Sequence, residues 1–205
     1  MINVKNKDLP LQGADGSSLF IPFDITKPPT TGNYLATTDP ALIIKTIQFV
    51  DKNRTDIEYL VLDDYQYILS EAFMAKALQT GFDKFNILGK NGFDIINAGI
   101  TMTSNKFFIM LTHDDEENGK SKMKLLGKML EDKVNPIGLF TIALFTTTRL
   151  VGREAQYYFI TNRSYDDRGI LVPAKSPVGM FEDLLIPNDL GLVVRKIKEY
   201  YNGNN

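Results

Sequence analysis

Two stretches of the chain run apolar for four or five residues and then turn abruptly polar. Tyr59-Leu60-Val61-Leu62 runs into Asp63-Asp64, and Phe107-Phe108-Ile109-Met110-Leu111 runs into Thr112-His113. Gly138 to Phe145 is a third apolar stretch. Uninterrupted runs of this length suit strands buried on both faces of a parallel sheet. Met1 to Val4 reads as a very short strand, and Leu19 to Phe23 as another. Gln156 to Thr161 predicts a strand antiparallel to the third run, through a hairpin around Val151-Gly152-Arg153.

Between the runs the spacing changes to three and four residues. Asp39 caps a helix with Pro40 at its first position, and Leu42, Ile43, Ile47 and Val50 form its apolar face. A second helix covers about 65–78, with Ile68, Leu69, Ala72, Phe73 and Ala75 on its buried side. A third covers about 82–103, carried by Phe85, Leu88, Phe93, Ile96 and Ile100, with room for a break at Gly89 and Gly92. Asp114-Asp115-Glu116-Glu117-Asn118-Gly119 predicts an acidic turn, and 123–134 a short strand with a short helix. Residues 5–40 and 163–186 are rich in turn formers. Pro187-Asn188-Asp189 opens a last helix, with Leu190, Leu192, Val193, Ile197 and Tyr200 on its apolar face. The alternation predicts an α/β fold: a mostly parallel sheet flanked by helices, with an antiparallel edge. The 205 residues fit one domain over 1–205.

Composition narrows the chemistry more than the fold. There is no cysteine, which excludes disulfides and thiolate metal sites and fits a reducing compartment. One histidine, His113, excludes multi-histidine zinc sites and most histidine-based triads. A net charge of −2 gives no global signal for nucleic acid and leaves only a local basic face. The candidates for such a face are Lys120, Lys122, Lys124 and Lys128, with Arg149, Arg153, Arg163, Arg168 and Lys175; Tyr157 and Tyr158 are candidates for base stacking. No apolar stretch reaches the length of a membrane span.

The candidate chemistry sits where the first two runs end. Carboxylates at the carboxyl end of a buried parallel strand stand where open α/β sheets bind ligands. In nucleoside triphosphatases this is the Walker B position, whose aspartate holds Mg²⁺. Asp63 and Asp64 fit it, and equally fit the bland role of ending a strand and capping a helix. Thr112-His113 would reach the same edge. A phosphate-cradling G-x-x-x-x-G-K-[S/T] loop is missing. Gly119-Lys120-Ser121 supplies only its last three letters, in an acidic setting.

Several motifs taken in order resemble a known family. Tyr59 to Asp64, Phe107 to His113, Lys124 to Leu130, Ala174 to Glu182 and Ile186 to Gly191 together resemble the bacteriophage RecA-like ATPases of single-strand annealing and recombination. The resemblance runs from about Ile2 to Tyr201. It implies a RecA-like sheet whose first strand, with its P-loop, has no counterpart here, so that the P-loop lysine and threonine are missing too. It implies ATP and Mg²⁺ as cofactors, Asp63 as the metal-linked carboxylate, Asp64 as a water-orienting carboxylate and His113 as a switch residue. Lys175 would contact phosphate across a subunit interface. Single-stranded DNA, a homo-oligomer and the bacterial cytoplasm are the implied partners and place. Without the P-loop the expectation is a protein deficient in ATP hydrolysis. The alternatives are a nucleotide-independent protein- or DNA-binding module on the same fold, and an unrelated α/β protein.

Overall fold

The computed structural model describes residues 1–9, 17–27, 31–81, 83–126 and 134–203. They gather into two units, Met1–His113 with Lys124–Pro136, and Asp114–Met123 with Ile137–Asn205.

In the first unit, Asp39 accepts a hydrogen bond from the Ala41 amide at 2.9 Å and starts α1 (Pro40–Asn53). The apolar face of α1 buries Ile43, Ile47 and Val50. Four strands pair in parallel: β1 (Ile2–Asn3), β2 (Leu35–Ala36), β3 (Tyr59–Asp63) and β4 (Phe107–Met110), in the order β2-β1-β3-β4. Leu62 lies opposite Ile2 on one side and Met110 on the other. Leu60 and Leu62 are buried on one face of β3, while Tyr59 is exposed and Val61 and Asp63 are half-buried on the other, so the strand is not buried on both faces as its apolar run predicts. Helices α2 (Gln66–Ala75) and α3 (Asp83–Ile100) complete the unit, and α3 contacts both α1 and α2.

The expected break in the third helix does not occur. Gly89 and Gly92 lie inside an unbroken α3 and are buried. The need for glycine is clear at Gly99, where a Cβ would come within 2.2 Å of the Phe108 ring. The residue lets α3 lie directly on β4. The loop before β4 is tied to α1 by Asp51, whose carboxylate accepts from the Thr103 amide at 3.1 Å, the Ser104 amide at 2.9 Å and both hydroxyls. These bonds, the Ser104 hydroxyl first, hold the Asp51 carboxyl down to about 2.

The second unit holds two sheets. One has the order β5-β6-β10-β9, from Asp114–Glu117, Lys120–Met123, Leu171–Val172 and Ser164–Tyr165. The other has the order β11-β8-β7, from Leu185–Pro187, Glu154–Ile160 and Phe145–Val151. Phe159, Met180, Phe181, Ile186 and Val193 form its main core. Asp189 caps α5 (Leu190–Asn202), accepting from the Gly191 and Leu192 amides at 2.7 and 3.2 Å.

The fold is mixed α/β, as expected, with four departures. The antiparallel strands do not extend the edge of the parallel sheet; they form sheets of their own. The acidic stretch 114–117 is a strand, not a turn. Asn118 and Gly119 take φ of 52° and 72° and close a two-residue hairpin, the turn type that Asn-Gly favours. The third apolar run contributes a short helix, α4 (Pro136–Leu139), and its strand begins only at Phe145. Periodicity alone does not separate a short apolar helix from a strand. Of the expected strand at 19–23 only a bridge between Pro22 and Tyr34 forms. Residues 127–133, within the predicted short strand and helix, lie outside the described residues.

Candidate functional site at the carboxyl edge of the parallel sheet

β3 delivers Asp63 and Asp64 to the carboxyl edge, and the next residue-pair geometry decides what they do. Asp64 has φ of 65°, a left-handed conformation uncommon outside glycine but tolerated by Asp. It turns the chain from β3 into α2 and leaves Asp64 only 7% exposed. Its Oδ2 accepts a hydrogen bond from Lys7 Nζ at 2.5 Å. Its Oδ1 accepts from Gln66 Nε2 at 3.4 Å and faces His113 Nε2 at 3.5 Å.

Gln66 joins the two strand ends. Its Oε1 accepts from the Thr112 hydroxyl at 3.0 Å and from the His113 amide at 3.2 Å. Tyr67 packs its ring edge-on to His113 at 6.0 Å, and Lys5 and Lys7 both lie over the same ring, at 5.3 and 5.2 Å. Lys5 also pairs with Glu71 on α2. The segment after β1 is thus strapped across the start of α2. Asn3 sets its course, donating from Nδ2 to the Lys7 carbonyl and to the Tyr34 hydroxyl, both at 3.0 Å. Asn3 sits opposite Asp63 in register and is fully buried.

The electrostatics follow from burial and pairing. Burial, and next the neighbouring Asp64 charge, push the Asp63 carboxyl up from its ordinary range. The hydrogen bond to Asp64 pushes the Lys7 ammonium up. Beside the cluster lies a cavity of about 80 Å³, walled by Gln66, Tyr67, Ser70, His113, Lys124 and two leucines.

The expected residues therefore separate into two groups. Asp63, Asp64 and His113 meet at one edge of the parallel sheet. Lys175 belongs to the second unit, where its backbone pairs with Ala143 and its Nζ donates to the Gly138 carbonyl at 3.1 Å. Gly119-Lys120-Ser121 lies in the β5–β6 hairpin, where the Ser121 hydroxyl donates to Asp114 at 3.0 Å. The basic residues of the second unit are interleaved with acids: Lys122 pairs with Glu117, Arg149 with Asp167, and Arg168 with Asp166 and Glu116.

Lys7, Gln66, Tyr67 and Asn3 were not legible as site residues. The one signal was Asn3, a polar residue inside an otherwise apolar opening strand. Among the described residues no group of three His, Cys, Asp or Glu side chains is placed to hold a metal ion. Asp64 is already neutralised by Lys7. The donor set thus falls short of a ready site for Mg²⁺ with a nucleoside triphosphate. Comparison of the chain with protein-family models, with curated proteins and with solved structures gives no match. Among the described residues no helix is long and apolar enough to cross a membrane.

Proposed function

We propose that this chain is a bacteriophage RecA-like protein of DNA recombination and single-strand annealing, acting in the bacterial cytoplasm, that in this form does not turn over ATP. The observation that supports the reading is the meeting of Asp63, Asp64 and His113 at the carboxyl ends of two adjacent parallel strands. That edge is where open α/β sheets place their ligand chemistry. The expected deficiency in turnover is supported by Lys7, whose ammonium takes up the Asp64 carboxylate. No cation is assigned to Asp63, whose carboxyl is raised by burial and by Asp64; on this reading His113 is the group that couples the edge to what binds there.

The test has two arms. Steady-state ATP hydrolysis with Mg²⁺ and single-stranded DNA is expected to stay at background; turnover that Asp63→Ala abolishes would overturn the deficiency. Titration of labelled single-stranded DNA is expected to give saturable binding that depends on ATP. A second reading, a nucleotide-independent protein- or DNA-binding module on the same fold, draws on the same Lys7–Asp64 pair. DNA binding that is the same with and without ATP, or no saturable DNA binding, would favour it.

A further inference from the structure

The β7–β8 hairpin is exposed on both faces along its outer half. Leu150 is 77%, Val151 53% and Tyr157 62% exposed. β7 runs for seven residues, Phe145 to Val151, and forms the edge of its sheet; among the strands it pairs with β8 alone. Edge strands of soluble proteins carry protection against further pairing, such as proline, lysine, a bulge or short length. β7 has none of these. Its one charge is Arg149, and that guanidinium is turned onto Asp167 of its own chain at 3.0 Å.

The hairpin turn is the two residues Gly152-Arg153, closed by the Val151–Glu154 pair. Hydrogen bonds of an antiparallel ladder alternate from such a turn. The amides and carbonyls of Val151, Arg149 and Thr147 therefore point to β8. Those of Thr146, Thr148 and Leu150 point outward.

We propose that this edge pairs with the same edge of a second copy of this chain, antiparallel, about a two-fold axis midway between Thr148 of the two copies. A two-fold axis perpendicular to the sheet sets one residue against its own copy; centring on Thr148 pairs its outward amide and carbonyl directly, whereas centring on Arg149 would set like charges face to face. The register sets Thr148 against Thr148 of the second copy, Thr146 against Leu150 and Thr147 against Arg149. Each of the three outward residues meets an outward residue, and no like charges face each other. Thr148 is registered with Tyr157, so the joined sheet carries a row Tyr157, Thr148, Thr148, Tyr157 on one face. Cross-strand pairs of aromatic and β-branched residues stabilise sheets. Leu150, next on that face, loses its exposure against Thr146. A nucleic acid is the less suited occupant, because Glu154 and Asp167 stand beside the arginines. One strand edge is small against a standard interface of about 1,600 Å², so the dimer is weak and forms with rising concentration.

The experiment is sedimentation velocity of the full chain from about 1 to 200 micromolar, a span chosen for a weak interface. The wild type is expected to shift from monomer to dimer. Thr148→Pro removes an outward amide without touching the β8 ladder, and is expected to raise the dissociation constant at least about tenfold. Leu150→Lys places a charge at the edge and does the same, which guards against a folding defect in the proline variant. Circular dichroism melts of both are expected to match the wild type. A wild type that stays monomeric throughout, or a dimer unmoved by both substitutions, overturns the proposal. So does a monomer whose binding to single-stranded DNA these variants abolish, since the edge would then serve nucleic acid.

Discussion

The carboxyl edge of the parallel sheet and the outer half of the β7–β8 hairpin both hold a basic side chain against an aspartate. At the edge, Lys7 reaches Asp64 at 2.5 Å, and the aspartate side chain is 10% exposed. On the hairpin, Arg149 reaches Asp167 at 3.0 Å, and the aspartate is 67% exposed. The pairs look alike as residue types and differ in consequence. An exposed pair trades water for a partner at little net gain. A buried carboxylate has lost its water, so its partners are required to offset that loss. The same contrast holds for the strands beneath. β3 is flanked by β1 and β4 and buries Leu60 and Leu62 on one face, whereas β7 has an open side.

Truncation of the apolar side chains breaks this comparison most sharply. Leu62→Ala, at a fully buried position, is expected to cost about 3 kcal/mol in urea denaturation. Leu150→Ala is expected to stay within about 0.5 kcal/mol at concentrations where the chain is monomeric. Near-equal losses would mean that burial does not separate the two regions.

The paired aspartates come next. Asp64→Asn is expected to destabilise by about 2 kcal/mol, since it takes the charged acceptor away from Lys7 and leaves a buried amide with misplaced donors. Asp167→Asn, at the partner of the hairpin's Arg149, is expected to cost no more than about 0.5 kcal/mol. Chemical denaturation of the two variants side by side reads the difference directly.

Two acid residues of the first unit sharpen the picture through pH, with opposite signs. Asp51 has its folded value lowered to about 2. Its stabilisation is complete above the ordinary carboxylate range and is lost as pH falls toward 2. Asp51→Ala is therefore expected to cost about 1 kcal/mol at pH 7, allowing for solvent screening at this largely open carboxylate, and to match the wild type near pH 2. Asp63 has its folded value raised by burial and by Asp64. Its contribution is favourable below the ordinary range and is lost as pH rises through the raised value. Asp63→Asn is thus expected to be slightly more stable than wild type at pH 7 and equal to it near pH 3. A loss of stability at pH 7 would show that the Asp63 charge is held by partners and not opposed.

Much of both units was legible because the signals are local. Asp39 and Pro40 announce α1, and Asp189 announces α5, because a capping aspartate acts on amides two or three residues away. The apolar run at 59–62 announces a strand with neighbours on both sides. The Asn118-Gly119 hairpin was equally local, and the acidic residues before it hid it: charge was read as a turn, where the strand simply faces water on both sides. The β2 strand at Leu35–Ala36 was not legible, since two residues carry no period.

By itself the sequence determined which residues follow the apolar runs of β3 and β4, and hence that Asp63, Asp64 and His113 share one edge. Only the tertiary structure decided what each of them meets there. Lys7 comes to Asp64 from 57 positions away, along a path set by a buried Asn3. Gln66 joins two strand ends from the first residue of a helix. Whether a carboxylate is open to a cation or already neutralised is a matter of distance and burial. Neither quantity is written in the order of residue types. The opening carboxylate pair at 63–64, read from sequence as a place for a metal, is in the folded chain one raised acid and one ion pair.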